Sequence, residues 1–366
     1  MDSQCGIRRG KAWRRFGGRR RRENRRIVMN DWTILHAGAL GDLILSLHFF
    51  EHLCEIVEPQ SQRGTPCTQP SHPADVIVVS RADPGDLCHR GRDWRRVSIE
   101  SVGAHWLYGD TASDAPPAAL VKLVRERRVL NLLTGPDEAP HRRLRRIGAD
   151  MVLSVDPRPA SQSAEHITTQ WLRRAAAACD ARPWRTAIET ALAGVGDSGG
   201  SMHPPAARRV AADCERNLLI HPGAGAADKC WPLECFLRAA DRLASAGHPI
   251  RFIVGEVERE RWPPAALARM QAVAPVTVAA DIRALRAELE RSAALLGNDS
   301  GPAHLAAWLG LPVLALFGPT DARVWRPIGP YVRVLQGEAR ARSDWGLKVD
   351  TAVYELFGLL EALRAT

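Results

Sequence analysis

The sequence lacks the long apolar runs that a membrane span requires. A spanning helix needs about twenty consecutive apolar residues, and no such run occurs in the 366 residues, although 45% of them are hydrophobic. The N-terminus also lacks the apolar core of a signal peptide. We therefore expect a cytoplasmic protein that is long enough for two domains, each with a core of its own.

Cysteine patterns that indicate a metal or redox site are also missing. The eight cysteines form no CxxC pair and no zinc-finger spacing, so we expect reduced, mostly buried thiols. The GxGxxG spacing of a dinucleotide-binding turn is absent after the first strand.

The excess of positive charge is confined to one segment. The net charge is +9, and residues 1–28 hold eleven of the 50 basic residues but two of the 41 acidic ones. The rest of the chain is therefore neutral. This tail could bind nucleic acid or an anionic membrane surface. Alternatively, translation begins at Met29 and the tail is dispensable, which is the interpretation we favour.

Residues 293–317 predict a strand, a polar turn, a helix and a second strand. The strands are Ala293–Leu296 and Val313–Phe317, and the turn contains Asn298, Asp299, Ser300 and Gly301. Ligands of parallel sheets lie beyond the carboxyl ends of the strands, where such a turn is placed. His304 follows one helical turn later. A well-capped helix that binds nothing is the alternative, because Asp and Ser are preferred caps.

A second turn of this kind follows the predicted strand Asn217–His221. Small residues at 223–227 would let backbone amides face an anion, and Lys229 would add a full positive charge. The chain has only four lysines, at positions 11, 122, 229 and 348. A surface lysine in a loop is the alternative.

The first strand, Thr33–Ala37, leads through a glycine-containing turn to Asp42 at the start of a helix. A carboxylate at this position can cap the helix. It can also act as a general base if it faces a cleft between domains. Both interpretations stay open on this stretch alone.

The remaining segments complete two alternating strand–helix domains. We expect irregular structure over 83–117, a basic loop with Arg142, Arg143, Arg145 and Arg146, and a helix from His166 to about Cys179. Residues 181–213, rich in Gly, Ser, Pro and Ala, predict a linker. The arginines at 90–96 and 142–146 could meet an anionic acceptor, although solvated basic loops are the commoner case.

Three stretches together resemble the motifs of glycosyltransferase family 9, the ADP-heptose lipopolysaccharide heptosyltransferases. They are ILHAGALGDLILSLHFFEHL, LLIHPGAGAADKCWPLECFLRAADRLASAGHPIRFIVGEVE and LLGNDSGPAHLAAWLGLPVLALFGPTDARVW. The resemblance implies an α/β GT-B fold with two Rossmann-like, doubly wound domains that face a central cleft. The acceptor would bind the N-terminal domain and the nucleotide-sugar the C-terminal one.

The composition of the chain and the resemblance together predict the domain boundaries. Residues 1–28 would be the basic tail, 29–185 the acceptor domain and 186–214 a linker. Residues 215–348 would form the donor domain, and 349–366 a helix that packs back on the N-terminal domain.

The same resemblance assigns roles to individual residues. Asp42 would be the general base, with Gly41 on the acceptor side. Lys229 would contact the donor phosphate. Glu258, or with less support Glu256, would bind the ribose. The remaining donor-binding residues would be Gly223, Ala224, Gly225, Asp299, Ser300, Gly301 and His304. Some members have hydroxyl residues where this chain has Ala224 and Gly225, so backbone amides would serve there.

Inverting transfer needs a base for the acceptor and positive charge for the departing diphosphate, and helix amides with one lysine can supply the latter. No DxD-type acidic cluster occurs in the sequence, so we predict no metal and no cofactor. The expected partners are an ADP-heptose-like donor, an anionic glycolipid or glycan acceptor such as the lipopolysaccharide core, and peripheral contact with the inner membrane, but no specific nucleic acid. The alternatives are a GT-B transferase for a different nucleotide-sugar, a non-catalytic nucleotide-binding relative, and a nucleic-acid-binding protein that depends on the basic tail.

Overall fold

A computed structural model describes residues 31–57, 75–83, 94–109, 115–193, 216–338 and 344–364. The predicted basic tail, half of the cysteines and most of the predicted linker lie outside these ranges. Within them, the chain forms two parallel sheets with helices around each. The two-domain α/β prediction is confirmed.

The N-terminal sheet has the strand order β3-β2-β1-β4-β5, and every pair in it is parallel. Strands β1 and β2 are buried along their whole length, as is typical of parallel strands covered on both faces. Its strands are β1 (Trp32–His36), β2 (Val76–Ser80), β3 (Trp94–Ser98), β4 (Arg128–Leu132) and β5 (Met151–Ser154). Its helices are α1 (Leu40–Val57), α2 (Ala118–Val124), α3 (Ala139–Ile147), α4 (Ile167–Ala178) and α5 (Arg182–Ala193).

The C-terminal sheet has the order β11-β10-β9-β6-β7-β8, again with parallel pairs. This is the doubly wound arrangement, in which the strand order reverses between β6 and β9. Its strands are β6 (Leu218–His221), β7 (Ile250–Gly255), β8 (Val276–Ala279), β9 (Ala294–Asn298), β10 (Val313–Phe317) and β11 (Val332–Gln336). Its helices are α6 (Leu233–Ser245), α7 (Glu256–Arg261), α8 (Pro264–Val273), α9 (Ile282–Glu290), α10 (Gly301–Trp308), α11 (Ala322–Trp325) and α12 (Val349–Arg364).

Helix α1 of the first domain packs against helix α10 of the second. The rings of His48 and Trp308 meet edge to face with centroids 4.4 Å apart. At the amino ends of the two helices, a Cβ atom placed on Gly41 would lie 3.0 Å from the His304 ring. The small residue at 41 therefore lets the two helix N-termini, and the residues that they carry, approach each other across the domain boundary.

Two segments predicted to be irregular are regular. Residues 94–98 form the edge strand β3, in which Arg95 is exposed and the other four residues are half-buried. The predicted basic loop at 142–146 is instead part of helix α3, which buries Leu144 and Ile147 while its arginines lie on the other face. The charge of this segment concealed its apolar stripe.

The arginines of these segments mostly support the fold. Arg143 donates hydrogen bonds to the carbonyl oxygens of Trp106 and Gly109, and its guanidinium lies 4.6 Å from the centre of the Trp106 ring. Arg145 pairs with Asp180 at 3.3 Å. Arg90 and Arg92 lie outside the described residues.

The predicted linker begins later than expected. Residues 182–193 form helix α5, in which a proline occupies the first turn and Ile188 is fully buried in the core. Trp184 of this helix stacks on Trp32 at 5.9 Å. These contacts make the helix part of the N-terminal domain, and residues 194–213 of the predicted linker lie outside the described part.

The expected return of the last helix to the N-terminal domain is wrong. Helix α12 packs against α6, β10 and β11, all in the C-terminal domain. Its buried side chains include Ala352, Leu356 and Leu360, which share a core with Phe236 of α6 and Leu314 of β10. The apolar stripe of α12 is therefore satisfied within its own domain.

Candidate active site

A cavity of about 320 Å³ lies at the junction of the two domains. Its volume is within the range of small-molecule sites. The N-terminal domain contributes the turn and first residues of α1, and the C-terminal domain contributes the β6–α6 turn, the start of α10 and the end of α11. The lining residues are Ala39, Gly41, Asp42, Gly225, Ala226, Lys229, Asp299, Ser300, Gly301, His304 and Trp325.

Asp42 lies in the first turn of α1 and reaches the cavity from the N-terminal domain. Its Oδ2 atom accepts a hydrogen bond from the Ala39 amide at 3.2 Å, so the carboxylate caps the helix as well. Burial raises the pKa of Asp42, while the Ala39 amide and the nearby His304 and Lys229 act in the opposite direction. A raised pKa makes this carboxylate a better proton acceptor than a solvated one.

Asp299 is the centre of a charged cluster on the opposite wall. Its Oδ2 atom lies 3.0 Å from Lys229 Nζ and accepts a hydrogen bond of 2.7 Å from the Thr320 hydroxyl. Its Oδ1 atom lies 3.7 Å from His304 Nε2. Burial alone would raise the pKa of Asp299, but His304, Lys229 and Thr320 together more than offset it and hold the pKa at about 2. The carboxylate is therefore ionised and keeps the lysine directed into the cavity.

The His304 side chain is buried where the two domains meet. The ring is 4% exposed, packs against Gly41 and directs Nε2 towards Asp299, while its buried Nδ1 atom has no hydrogen-bond partner among the described residues. An unsatisfied buried nitrogen is costly in a folded protein.

The turn that carries Lys229 is held by the buried Asn298, at the end of β9. The Asn298 amide nitrogen donates to the carbonyl oxygens of Pro222 and Gly223 at 2.9 and 3.2 Å. Its oxygen accepts from the Trp231 amide at 3.0 Å. Both ends of the turn are thus fixed to the same side chain. The sequence placed Asn298 in the site region but did not indicate this role, which only the fold brings about.

Glu258, in the first turn of α7, lies beside this turn and not in the cavity wall. Its Oε2 atom accepts a hydrogen bond of 2.9 Å from the Gly255 amide, and its Oε1 atom is 4.0 Å from Nε2 of the buried His221. A Cβ atom on Gly223 would lie 2.4 Å from Oε1, so a larger residue there would displace the Glu258 carboxylate. Glu256 instead forms an ion pair with Arg259.

Most of the predicted site residues converge at the cavity. Gly223, Ala224 and Glu258 do not line it, but lie next to it at the carboxyl ends of β6 and β7. Trp325 lines the cavity and was missed, because a helix of four residues shows no apolar periodicity. His166 was noted only as the start of a helix. Its Nε2 atom lies 3.0 Å from the carbonyl oxygen of Arg326, and this contact joins the two domains.

Within the described ranges, no group of three or more His, Cys, Asp or Glu residues is arranged to hold a metal ion. The helices of those ranges are all too short or too polar to cross a membrane.

Comparison with known proteins agrees with this geometry. A family model described as glycosyltransferase family 9 (heptosyltransferase) matches residues 196–345, which include the β6–α6 turn and the start of α10. Lipopolysaccharide heptosyltransferase 3 of Escherichia coli K12 is 32% identical over 113 residues, 30% of this chain and 33% of the relative. The chain thus spans about a third of the length of this curated relative. Residues 196–345, most of the C-terminal domain, thus resemble glycosyltransferase family 9.

Solved structures show the same fold over nearly the whole chain. The ADP-heptose lipopolysaccharide heptosyltransferase II of Escherichia coli has a TM-score of 0.58 at 16% identity, covering 91% of this chain and 99% of that one. A glycosyltransferase family 9 protein from Veillonella parvula has a TM-score of 0.56 at 17% identity, covering 91% and 98%. At this identity the likeness concerns the fold alone, which is GT-B.

Proposed function

We propose that this protein is an inverting glycosyltransferase that transfers a heptose-like sugar from ADP-heptose to a lipopolysaccharide core or a related glycan. One observation carries the proposal: Asp42 of one domain and the Lys229–Asp299–His304 cluster of the other line a single cavity. A transfer between two bound substrates needs such a junction, because the base and the leaving group's partners must act on opposite sides of the same carbon.

Asp42 is the proposed general base. Its carboxylate accepts the proton of the acceptor hydroxyl while that oxygen forms a bond to the anomeric carbon of the donor sugar. The bond between this carbon and the diphosphate oxygen breaks, and its electron pair leaves with the diphosphate. Attack from the face opposite the leaving group inverts the anomeric centre. The raised pKa of Asp42 supports this role, since proton transfer favours a more basic carboxylate.

Lys229 and the N-terminus of α10 are the proposed partners of the departing diphosphate. The lysine is a full positive charge, and the amino end of a helix adds favourable partial charges. Asp299 is negative and would repel a phosphate directly. Its contacts with Lys229 and His304 support a positioning role, in which it holds both side chains towards the donor.

Glu258 and Gly223 are proposed to bind the nucleoside end of the donor. A carboxylate is suited to accept hydrogen bonds from the two ribose hydroxyls. The Glu258 carboxylate lies close against Gly223, which is buried. The backbone of the same turn is exposed at Gly225 and Ala226, which line the cavity.

We further propose that transfer needs no metal ion, because Lys229 and the helix N-terminus supply the positive charge that a divalent ion would otherwise provide. The expected result is an unchanged transfer rate after treatment with EDTA. Loss of activity that added Mg²⁺, Mn²⁺ or iron restores would contradict this part of the proposal. A cytoplasmic location, with peripheral contact at the inner membrane, stays an expectation.

Calorimetric titration of the protein with ADP, ADP-heptose and the corresponding UDP- and GDP-sugars tests the donor assignment. We expect binding of the adenine nucleotides and at least tenfold weaker binding of the others, both for the whole chain and for a chain that starts at Met29. Preference for another nucleotide would overturn the choice of donor. Binding without any transfer to lipopolysaccharide acceptors would favour a non-catalytic nucleotide-binding protein.

A further inference from the structure

One wall of the cavity differs in chemistry from all the others. Of the described residues that line it, five are small and five are polar or charged, and Trp325 alone offers a large apolar surface. The small residues are Ala39, Gly41, Gly225, Ala226 and Gly301, and the polar ones are Asp42, Lys229, Asp299, Ser300 and His304. A flat aromatic ring in such a place is available to a ring of the ligand.

The indole of Trp325 is held by the core behind it. Trp325 is half-buried and packs against the apolar core that contains Val324 of α11 and Leu305 of α10. Trp325 also lines the cavity. Because Trp325 packs against the core, its side chain is already ordered before a ligand binds. Binding a ligand ring on it therefore costs little side-chain conformational entropy.

The backbone next to Trp325 is fixed from the other domain. The pKa of His166 is lowered to about 4, chiefly by burial, so the ring is neutral at physiological pH. Its Nδ1 atom accepts from the Thr168 amide at 3.4 Å, which places the proton on Nε2. Nε2 then donates to the carbonyl oxygen of Arg326 at 3.0 Å. The residue after Trp325 is thus tied to the start of α4.

The position of Asp42 decides which ligand ring lies in this cavity. The acceptor oxygen must lie within hydrogen-bond distance of the base and about 3–3.5 Å from the anomeric carbon. The transferred sugar therefore shares the cavity with Asp42 and Trp325. Glu258 and Gly223, which are expected to bind the nucleoside, lie outside this wall. The adenine ring is separated from the sugar by the diphosphate.

We propose that Trp325 is the platform on which the transferred sugar ring of the donor stacks, and that it determines the selectivity for this sugar. The inference rests on the proposed function, because it requires a nucleotide-sugar donor whose sugar is bound beside Asp42. The apolar C–H face of the ring would lie on the indole, and its hydroxyls would meet the polar wall formed by Asp299 and His304.

Two substitutions distinguish the effect of the aromatic ring from the effect of side-chain size. Trp325→Leu keeps a large apolar side chain but removes the aromatic face, whereas Trp325→Phe keeps a smaller aromatic face. Both proteins, and a Trp184→Phe control remote from the cavity, are titrated with ADP-heptose and with ADP. Trp184 stacks on Trp32 in the N-terminal domain, so its replacement reports the effect of losing one tryptophan elsewhere.

We expect Trp325→Leu to raise the Kd for ADP-heptose about tenfold and to leave the Kd for ADP within about twofold. Trp325→Phe should recover most of the loss, and the control should bind both ligands normally. An equal loss for ADP and ADP-heptose would show that Trp325 serves the nucleotide or the fold, and no loss for either would also overturn the inference. If the unmutated protein bound neither ligand, the proposed function itself would fail, and the inference with it.

Discussion

Replacing Asp299 by Asn should reduce the stability of the ligand-free protein by an amount that depends on pH. The carboxyl has a pKa of about 2 in the folded chain, against 3.8 for an unperturbed aspartate. Each pKa unit corresponds to about 1.4 kcal/mol, so the ionised carboxylate contributes roughly 2 kcal/mol at neutral pH. The side chain is 9% exposed, so solvent screens this contribution only weakly. Asn keeps the size of the side chain but removes its charge.

The sign of the pH dependence follows from the lowered pKa. The contribution is complete above about pH 5 and is lost as the pH falls through about 4 towards 2, because the unfolded chain takes up the proton first. Urea unfolding of both proteins between pH 7 and pH 3 measures this difference. We expect a gap of roughly 2 kcal/mol at pH 7 that shrinks to about half at pH 3. A gap that does not change with pH would refute the assigned interactions with Lys229, His304 and Thr320.

Three further substitutions test separate parts of the structure. Lys229→Ala should raise the Kd for ADP at least tenfold in calorimetry, because a charge-assisted contact to phosphate is lost, whereas Lys122→Ala on the exposed face of α2 should not. Gly223→Ala should weaken ADP binding several-fold, because the new methyl group would lie 2.4 Å from the Glu258 carboxylate and displace it. An unchanged Kd for ADP would argue against Glu258 as a ribose ligand. Leu356→Ala should lower the free energy of unfolding by about 2–5 kcal/mol, since this residue of α12 is 1% exposed. A loss below about 0.5 kcal/mol in urea unfolding would contradict the packing of α12 on its own domain.

The strands of the sheets and the turns around Asp299 and Lys229 were predictable, because the local sequence preferences agree with the fold there. Strand Val313–Phe317 has the bounds that the sequence predicts, because a short apolar run bounded by turn residues is typical of a buried strand. The turn around Asp299 and the turn around Lys229 follow such strands, so parallel order alone brings them to one edge of the sheet. The meeting of Asp42 with these turns was predicted only through the resemblance to a family.

The features that the sequence failed to predict have a common physical origin. Arginine makes up two of the five residues of β3 and four of the nine residues of α3, so the charge of the exposed side concealed the side that each element buries. Helix α12 has an apolar stripe that would fit either domain, and its partners are a matter of tertiary packing, which no periodicity reveals. The same holds for Asn298 and His166, whose hydrogen bonds reach residues 67 to 160 positions away in the chain.

The central claim is that Asp42 takes the proton from the acceptor on one side of a cavity whose other side binds the donor. The most direct test is the steady-state rate of heptose transfer by the Asp42→Asn protein, together with its affinity for ADP-heptose. The account predicts that kcat falls by about 10²–10⁴-fold while the Kd for ADP-heptose is unchanged. It also predicts that kcat of the unmutated protein decreases as the pH is lowered, because Asp42 becomes protonated. Since the pKa of Asp42 is raised, this decrease should begin at a higher pH than the protonation of a solvated aspartate would give. Transfer by Asp42→Asn at the normal rate would contradict the account.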